Sequence, residues 1–98
     1  MSYREQRTVA ADHPCIAGHF PGHPVVPGSL LLEEVRHCVA GWLPGFTANR
    51  FRQVKFLRPL EPGTPFTVTL EQAAEGRVTF ECHCAGELIA RGQIQSRP

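Results

Sequence analysis

Only one segment of this chain has the periodicity of a helix, and its composition constrains how the rest can fold. It begins at Pro27-Gly28-Ser29 and runs to about residues 40–42, where glycine and proline end it. Apolar residues recur along it at helical spacing, namely Leu31, Val35, Cys38, Val39 and Trp42. Because Leu30 and Leu32 make its first turn apolar on nearly every side, we expect a helix that is buried by the remainder of the chain.

The other segments alternate or are rich in β-branched and aromatic residues, which predicts strands. One polar segment, residues 4–10, precedes the helix and is typical of an edge strand. Four strands follow the helix, at 50–59, 65–73, 78–85 and 88–95, with turns at 61–64, 74–77 and 86–87. This order predicts an α+β fold over residues 1–98, a single domain whose antiparallel sheet covers one helix.

Charge and hydropathy exclude several classes of function. The net charge is +1, which argues against a general nucleic-acid-binding protein. No run approaches the ~18 apolar residues of a membrane span, and the polar start "MSYREQRTV" does not resemble a signal peptide. We therefore expect a cytoplasmic protein with reduced thiols.

The four cysteines do not indicate a metal site. In "CHC", residues 82–84, strand alternation places both thiols on one face and His83 on the other. No second ligand pair with zinc-type spacing exists, so we expect structural cysteines and no metal. No Walker or Rossmann glycine pattern is present, and no organic cofactor is expected. Trp42 and Phe56 are expected in the core.

The proline- and glycine-rich loop before the helix carries the residues that suggest chemistry. His19 lies between Gly18 and Phe20-Pro21-Gly22, and Glu33 follows inside the helix. A neutral imidazole accepts a proton near pH 7, and a carboxyl group on an otherwise apolar helix is suited to donate one. The helix N-terminus at Gly28 and Ser29 offers N–H groups to a developing oxyanion. These groups suit dehydration of a 3-hydroxyacyl thioester.

The same residues resemble the signature of the hot-dog-fold 3-hydroxyacyl-[acyl carrier protein] dehydratases, the FabZ/FabA type. The pattern G-H-F-P-G-x-P-x-x-P-G-x-x-x-x-E/D matches Gly18 to Glu33 without a gap. Residues 49–66, "NRFRQVKFLRPLEPGTPF", resemble a second segment of the family, and the similarity covers about residues 9–95. The short chain is similar to the accessory dehydratases of the ApeI type, which occur with aryl polyene pathways.

The resemblance implies a hot-dog fold that pairs with a second subunit, with each active site formed by both. By position, His19 would remove the C2 proton, and Glu33 would protonate the departing hydroxyl, directly or through water. Gly28 and Ser29 would donate N–H to the thioester carbonyl. The acyl chain would lie in an apolar tunnel between the subunits.

Further substrate contacts implied by the resemblance are Phe20, Pro27 and His37. His37 stands where the family commonly has glutamine, which bears on the polarity of the cavity. Glu34 directly follows the predicted acid, and one helical step rotates the side chain by about 100°. Only one of the two carboxylates can therefore face the cavity, and the signature selects Glu33.

One basic stretch is dense enough to suggest a partner. It comprises Arg50, Arg52, Lys55 and Arg58. It is either a solvated strand face or a docking patch for an acyl carrier protein and its phosphopantetheine-linked acyl chain. On a regular strand the three arginines share one face and Lys55 lies on the other.

Two other functions stay open at this point. A hot-dog thioesterase also uses a helix carboxylate, although the His-Phe-Pro-Gly loop argues against it. A non-catalytic subunit that binds acyl chains within a heteromeric dehydratase is the second alternative. The sequence does not distinguish a homodimer from a heterodimer with another hot-dog subunit.

Overall fold

The computed structural model describes residues 2–10, 12 and 25–96, and one antiparallel sheet with one helix accounts for most of them. The elements are β1 (Ser2–Arg7), α1 (Gly28–Trp42), β2 (Ala48–Phe56), β3 (Phe66–Ala74), β4 (Arg77–Cys84) and β5 (Glu87–Ser96). The strands lie in the order β1-β3-β4-β5-β2. This confirms the predicted α+β arrangement and the edge position of the first strand, which begins and ends earlier than expected.

The core lies between α1 and one face of the sheet. Fully buried apolar residues come from both layers, including Val35 and Val39 of α1 and Val68, Leu70 and Phe80 of the sheet. Burying a side chain of this size contributes roughly 1.5–3 kcal/mol relative to leaving it exposed. The helix is therefore held mainly by its contacts with the sheet, as its apolar composition predicts.

Helix α1 begins directly after Pro27 and ends at Trp42, ahead of Pro44 and Gly45. Pro27 is the N-cap: its ψ of 145° is extended, and its carbonyl accepts the first hydrogen bonds of the helix, from the Leu30 and Leu31 amides. At 15 residues α1, the only helix in the described part of the chain, lacks the length and apolarity needed to cross a membrane. Both ends agree with the prediction.

The β4–β5 hairpin turns one residue earlier than predicted. Ala85 and Gly86 both have positive φ, 52° and 81°, and Glu87 already belongs to β5. Two successive positive φ values are the requirement of a type I′ turn, whose twist matches that of the flanking strands. Alanine adopts this backbone less readily than glycine or asparagine, so the sequence Ala85-Gly86 gave little indication of the turn.

A β-bulge in β2 changes which side chains share a face. Arg52 pairs with Gln93 and Lys55 with Arg91, so three steps along β2 match two along β5. Gln53 has φ 52°, the left-handed backbone of the extra residue. The predicted alternation of this strand is therefore wrong beyond Arg52.

Phe56 departs most clearly from the expected core. Its side chain is 52% exposed, whereas Trp42 is partly buried and packs against the core as predicted. Leu57, next in the chain, is the other large apolar residue that is exposed in the described part of the structure.

Candidate functional site

The N-terminus of α1 presents backbone N–H groups at its open end. The Leu30 and Leu31 amides donate to the Pro27 carbonyl at 3.0 and 3.1 Å. Within residues 25–96 no side chain caps this end, and neither the Gly28 nor the Ser29 amide donates a backbone hydrogen bond. The positive end of the helix dipole reinforces these donors, so this end suits an oxygen that carries negative charge.

Phe56 lies directly against this helix end. A Cβ built on Gly28 would be 2.7 Å from the Phe56 Cζ and 2.9 Å from its Cε2. Any larger residue at position 28 would therefore collide with the ring. The contact also brings the end of β2 beside the start of α1, which the sequence did not predict because the two residues are 28 positions apart.

Glu33 lies on the outward side of α1. Its side chain is 50% exposed, and its Oε1 accepts a hydrogen bond from Arg36 Nη1 at 3.1 Å. The apolar surroundings expected for this carboxyl group are thus not provided by the described part of a single chain. His37, one turn further along, is also exposed and lies on the same stripe of the helix.

Glu34 points to a different side of α1, about 100° around the helix from Glu33, and its side chain is only 16% exposed. Its Oε1 accepts a hydrogen bond from Arg7 Nε at 2.9 Å, which joins α1 to β1. The two neighbouring carboxylates therefore have different surroundings, as the helical step requires. The partner of Glu34 was not predicted, because a contact across 27 positions leaves no local pattern.

Two of the predicted site residues, His19 and Phe20, lie outside the described residues. The roles assigned to them, and the distance from the imidazole to Glu33, stay predictions. Pro27, Gly28 and Ser29 lie together at the helix end, and Glu33 with His37 continues along the same helix.

The basic stretch is arranged differently from the regular strand that was predicted. Arg91 and Gln93 are two residues apart on β5 and share its outward face, so their partners Lys55 and Arg52 share a face as well. Arg50, opposite Gln95, joins them. The expectation that Lys55 points away from these arginines is therefore wrong, and the bulge is the reason.

Arg58 does not belong to this outward row. It follows the end of β2, and its Nε lies 2.7 Å from Glu87 Oε2. Among the described residues it alone of the four basic side chains forms an ion pair. A groove of about 750 Å³ runs across the outer sheet face and includes Lys55, Arg91, Glu71 and Glu81 in its lining.

The thiols have no metal-binding surroundings in the described residues, where no group of three histidine, cysteine or carboxylate side chains converges. Burial raises the pKa of Cys82 to about 12 and that of Cys38 to about 11. Both are therefore protonated at neutral pH. Cys84 is only partly buried and is free of any disulfide.

Comparison with known proteins identifies related sequences over nearly the whole chain. Residues 2–93 match the ApeI-like family, described as ApeI dehydratase. The 3-hydroxyacyl-[acyl-carrier-protein] dehydratase FabZ of Chlamydia trachomatis serovar L2 is 30% identical over 104 residues. That match covers 91% of this chain and 67% of the relative.

Solved structures agree with this relationship. One subunit of the dehydratase heterocomplex ApeI:P from Xenorhabdus doucetiae superposes with a TM-score of 0.85 at 25% identity, covering 98% of this chain and 88% of that one. A 1,4-dihydroxy-2-naphthoyl-CoA thioesterase from Synechocystis has a TM-score of 0.66 at 19% identity, covering 100% and 85%. The second likeness concerns the fold alone. The predicted hot-dog fold is confirmed.

Proposed function

Because this chain belongs to the ApeI-like family of dehydratases, we propose that it removes water from a 3-hydroxyacyl thioester to give the trans-2-enoyl thioester. The acyl group is carried on an acyl carrier protein, and residues 1–98 act as one domain. FabZ relatives carry this carrier in their name, which supports the choice of substrate. The resemblance of this chain to the ApeI type is our reason to propose an accessory, polyene-type pathway instead of housekeeping synthesis.

One observation carries the proposal: the open amides of Gly28 and Ser29 and the outward carboxyl group of Glu33 lie on successive turns of one helix. The thioester carbonyl accepts these N–H groups, which stabilise the charge that its oxygen gains. A base at C2 and an acid at C3 complete what an elimination needs.

In the proposed reaction His19 takes the C2 proton, and the electron pair of that C–H bond forms the C2–C3 double bond. The C–O bond at C3 breaks, and the hydroxyl leaves as water with a proton from Glu33. The proton gained by the imidazole then returns to the carboxylate, directly or through water. No metal or organic cofactor takes part in these steps.

A second subunit completes the site in this proposal. The groove on the outer sheet face does not include Gly28, Ser29 or Glu33 in its lining, and neither does a second groove between Leu43, Phe46 and Gln72. The half-exposed Glu33 therefore has room for a partner to cover it and exclude water. The ApeI:P relative is a heterocomplex, so a heterodimer with another hot-dog subunit stands beside a homodimer as the arrangement to test.

Residues around the helix end provide the remaining substrate contacts. Pro27 and Phe56 border the N–H groups, and Phe20, the sequence neighbour of His19, is assigned a further contact. His37 lies on the same helical stripe as Glu33 and offers an imidazole where the family commonly has an amide. It sets the polarity of the cavity beside the departing hydroxyl.

The carrier protein docks on the cationic row of β2 in this proposal. Arg50, Arg52 and Lys55 share the outer face, and Lys55 is adjacent to Phe56, whose ring contacts Gly28. An acidic carrier and the phosphate of its phosphopantetheine arm complement these charges. Arg58 extends the stretch, although Glu87 neutralises part of its field.

The test is incubation of the protein with a panel of 3-hydroxyacyl carrier proteins, with mass spectrometry for the loss of water. We expect His19→Ala and Glu33→Gln each to nearly abolish turnover, and the double variant to be little worse, because the two groups act as a unit. Glu75→Gln, in the exposed β3–β4 turn, is the matched carboxylate control and retains activity.

Near-native turnover in either single variant would exclude the proposed mechanism. Release of a free thiol without enoyl product would instead indicate the thioesterase alternative. Turnover that requires another subunit, and survives loss of His19 and Glu33, would indicate the non-catalytic alternative.

A further inference from the structure

Three side chains of β1 face three side chains of α1 in matching order. Tyr3, Glu5 and Arg7 recur at the strand period of two, and Trp42, Cys38 and Glu34 recur at the helical spacing of four. We call these six residues the β1–α1 ladder. It connects the edge strand to the helix that carries Glu33.

The contacts of the ladder run continuously from one end to the other. The rings of Tyr3 and Trp42 stack with centroids 5.9 Å apart and an interplanar angle of 18°. The Tyr3 hydroxyl donates to Glu5 Oε1 at 2.5 Å, and Arg7 Nη1 donates to Glu5 Oε2 at 2.7 Å. Arg7 Nε reaches Glu34 Oε1 at 2.9 Å, so one guanidinium joins carboxylates from both elements.

The Arg7–Glu34 pair is better shielded than Arg36–Glu33, the other ion pair that α1 forms among the described residues. The side chains of Arg7 and Glu34 are 26% and 16% exposed, against 48% and 50% for Arg36 and Glu33. The hydrogen bonds that the Arg7 guanidinium donates to Glu5 and Glu34 raise its pKa, so it stays charged at any working pH. A shielded, charge-assisted contact of this kind fixes geometry more strongly than an exposed pair does.

The position of this pair connects it with the proposed chemistry. Glu34 directly follows Glu33, so holding Glu34 against β1 sets the direction of Glu33 about 100° away around the helix. In the chain, β1 also precedes the segment that contains His19. Val9 follows β1 directly in this stretch, and its carbonyl accepts a hydrogen bond from the Gly63 amide at 2.7 Å. The Arg7 guanidinium thus joins the strand that precedes His19, the proposed base, to the helical turn that carries Glu33, the proposed acid.

We propose that Arg7 and Glu34 are positioning residues, which fix the rotation of α1 and thereby aim the Glu33 carboxyl group at the reacting hydroxyl. This inference rests on the proposed function but adds residues outside the family signature. Neither side chain touches the substrate. Each acts through Glu33.

The test compares Arg7→Lys and Glu34→Gln with Glu87→Gln. Arg7→Lys keeps the charge but has no planar fork to join two carboxylates. Glu34→Gln keeps the shape and loses the charge. Glu87→Gln removes a carboxylate from the exposed pair with Arg58 and controls for loss of any surface ion pair.

We expect kcat to fall by about 10- to 100-fold in both ladder variants, the scale of a misplacement near 1 Å, with KM within about twofold of the native value. The pH profile of kcat also shifts in both ladder variants, because the environment of Glu33 changes. The control keeps the native kcat and pH profile, and it keeps the native KM for a short N-acetylcysteamine thioester, which does not reach the carrier-docking residues beside Glu87. Folded ladder variants with native kcat and pH profile would overturn the inference.

A measurement without substrate separates this inference from the proposed function. The carboxyl carbon of Glu33 is followed by ¹³C NMR through a pH titration in the same three variants, with Glu33→Gln to assign the signal. A changed chemical shift or titration of Glu33 in Arg7→Lys and Glu34→Gln, but not in Glu87→Gln, supports the positioning role. An unchanged Glu33 signal in both ladder variants overturns it, whether or not the native protein dehydrates any substrate tested.

Discussion

Substitution of Gly28 by alanine tests the contact between Phe56 and the helix end. The added Cβ would lie 2.7, 2.9 and 3.2 Å from three atoms of the Phe56 ring, where ordinary contacts begin at 3.4 Å. The ring must therefore move by about 0.7 Å or more. Because it is 52% exposed, it can move outward without disturbing the core.

The expected result is a loss of activity with little loss of stability. We expect the free energy of unfolding to change by less than about 1 kcal/mol, since alanine also favours the helix by up to about 1 kcal/mol. Turnover falls by about 10- to 100-fold, because the displaced ring no longer borders the N–H groups that bind the thioester oxygen. Phe56→Leu in the same background removes the collision and restores part of the turnover.

Two other glycines provide the comparison. A Cβ on Gly92 would lie 2.8 Å from the ring of Phe80, which is only 1% exposed and cannot move away. Gly92→Ala should therefore cost about 1–3 kcal/mol, with about 4–8 °C of unfolding midpoint lost per kcal/mol. At Gly41 an added Cβ would meet no atom of the described residues within 4 Å apart from its chain neighbours and its own helix backbone, so Gly41→Ala should leave both stability and turnover intact.

The assays are thermal unfolding at one fixed protein concentration, since association shifts the midpoint, and turnover of a 3-hydroxyacyl carrier protein. Equal destabilisation by Gly28→Ala and Gly92→Ala would refute the reasoning that Phe56 is free to yield. Native turnover in a folded Gly28→Ala variant would refute the assignment of this helix end to the thioester oxygen.

Three further predictions concern other parts of the molecule. Burial raises the pKa of Cys82 to about 12, so iodoacetamide at pH 8 should label Cys84 in the native protein and Cys82 only after unfolding, as read by peptide mass spectrometry. Hydrogen bonds from Tyr3 and from the neighbouring guanidinium lower the pKa of Glu5 below its ordinary 4.5, so its stabilisation is present above that pH and is lost as pH falls through the lower folded value. Glu5→Gln should therefore lower the unfolding midpoint at pH 7 and approach the native midpoint at acid pH. Arg50→Glu and Arg52→Glu should slow turnover of the carrier-bound substrate in a salt-sensitive manner and spare a short N-acetylcysteamine thioester, whereas equal losses on both substrates would assign these arginines to the fold.

The sequence predicted the elements that depend on local patterns. Helix α1 has the expected bounds, because its apolar spacing and the flanking prolines and glycines act within a few residues. The strands of the two hairpins, β3–β4 and β4–β5, were predicted for the same reason. The bulge at Gln53 was not located, since a non-glycine residue with φ 52° has no sequence mark. Every side-chain direction inferred beyond that bulge depended on it.

For the candidate site, the sequence predicted only the features that the signature and helical geometry determine. The signature distinguishes Glu33 from Glu34, and the structure gives the two carboxylates the different surroundings that helical geometry demands. The contacts of Glu34 with Arg7 and of Gly28 with Phe56 were missed. Both join residues more than 25 positions apart, and they depend on how the helix lies on the sheet.

The charges on the inner face of β1 have a consequence for solubility. An edge strand offers unpaired backbone groups to any extended segment, and a flat apolar edge promotes aggregation. β1 is six residues long, and two of the three side chains that it turns toward α1 are Glu5 and Arg7. A foreign strand that extended the sheet here would have to cover this charged pair with its own inner face. The edge is therefore a poor template for chains that meet during synthesis or at high concentration.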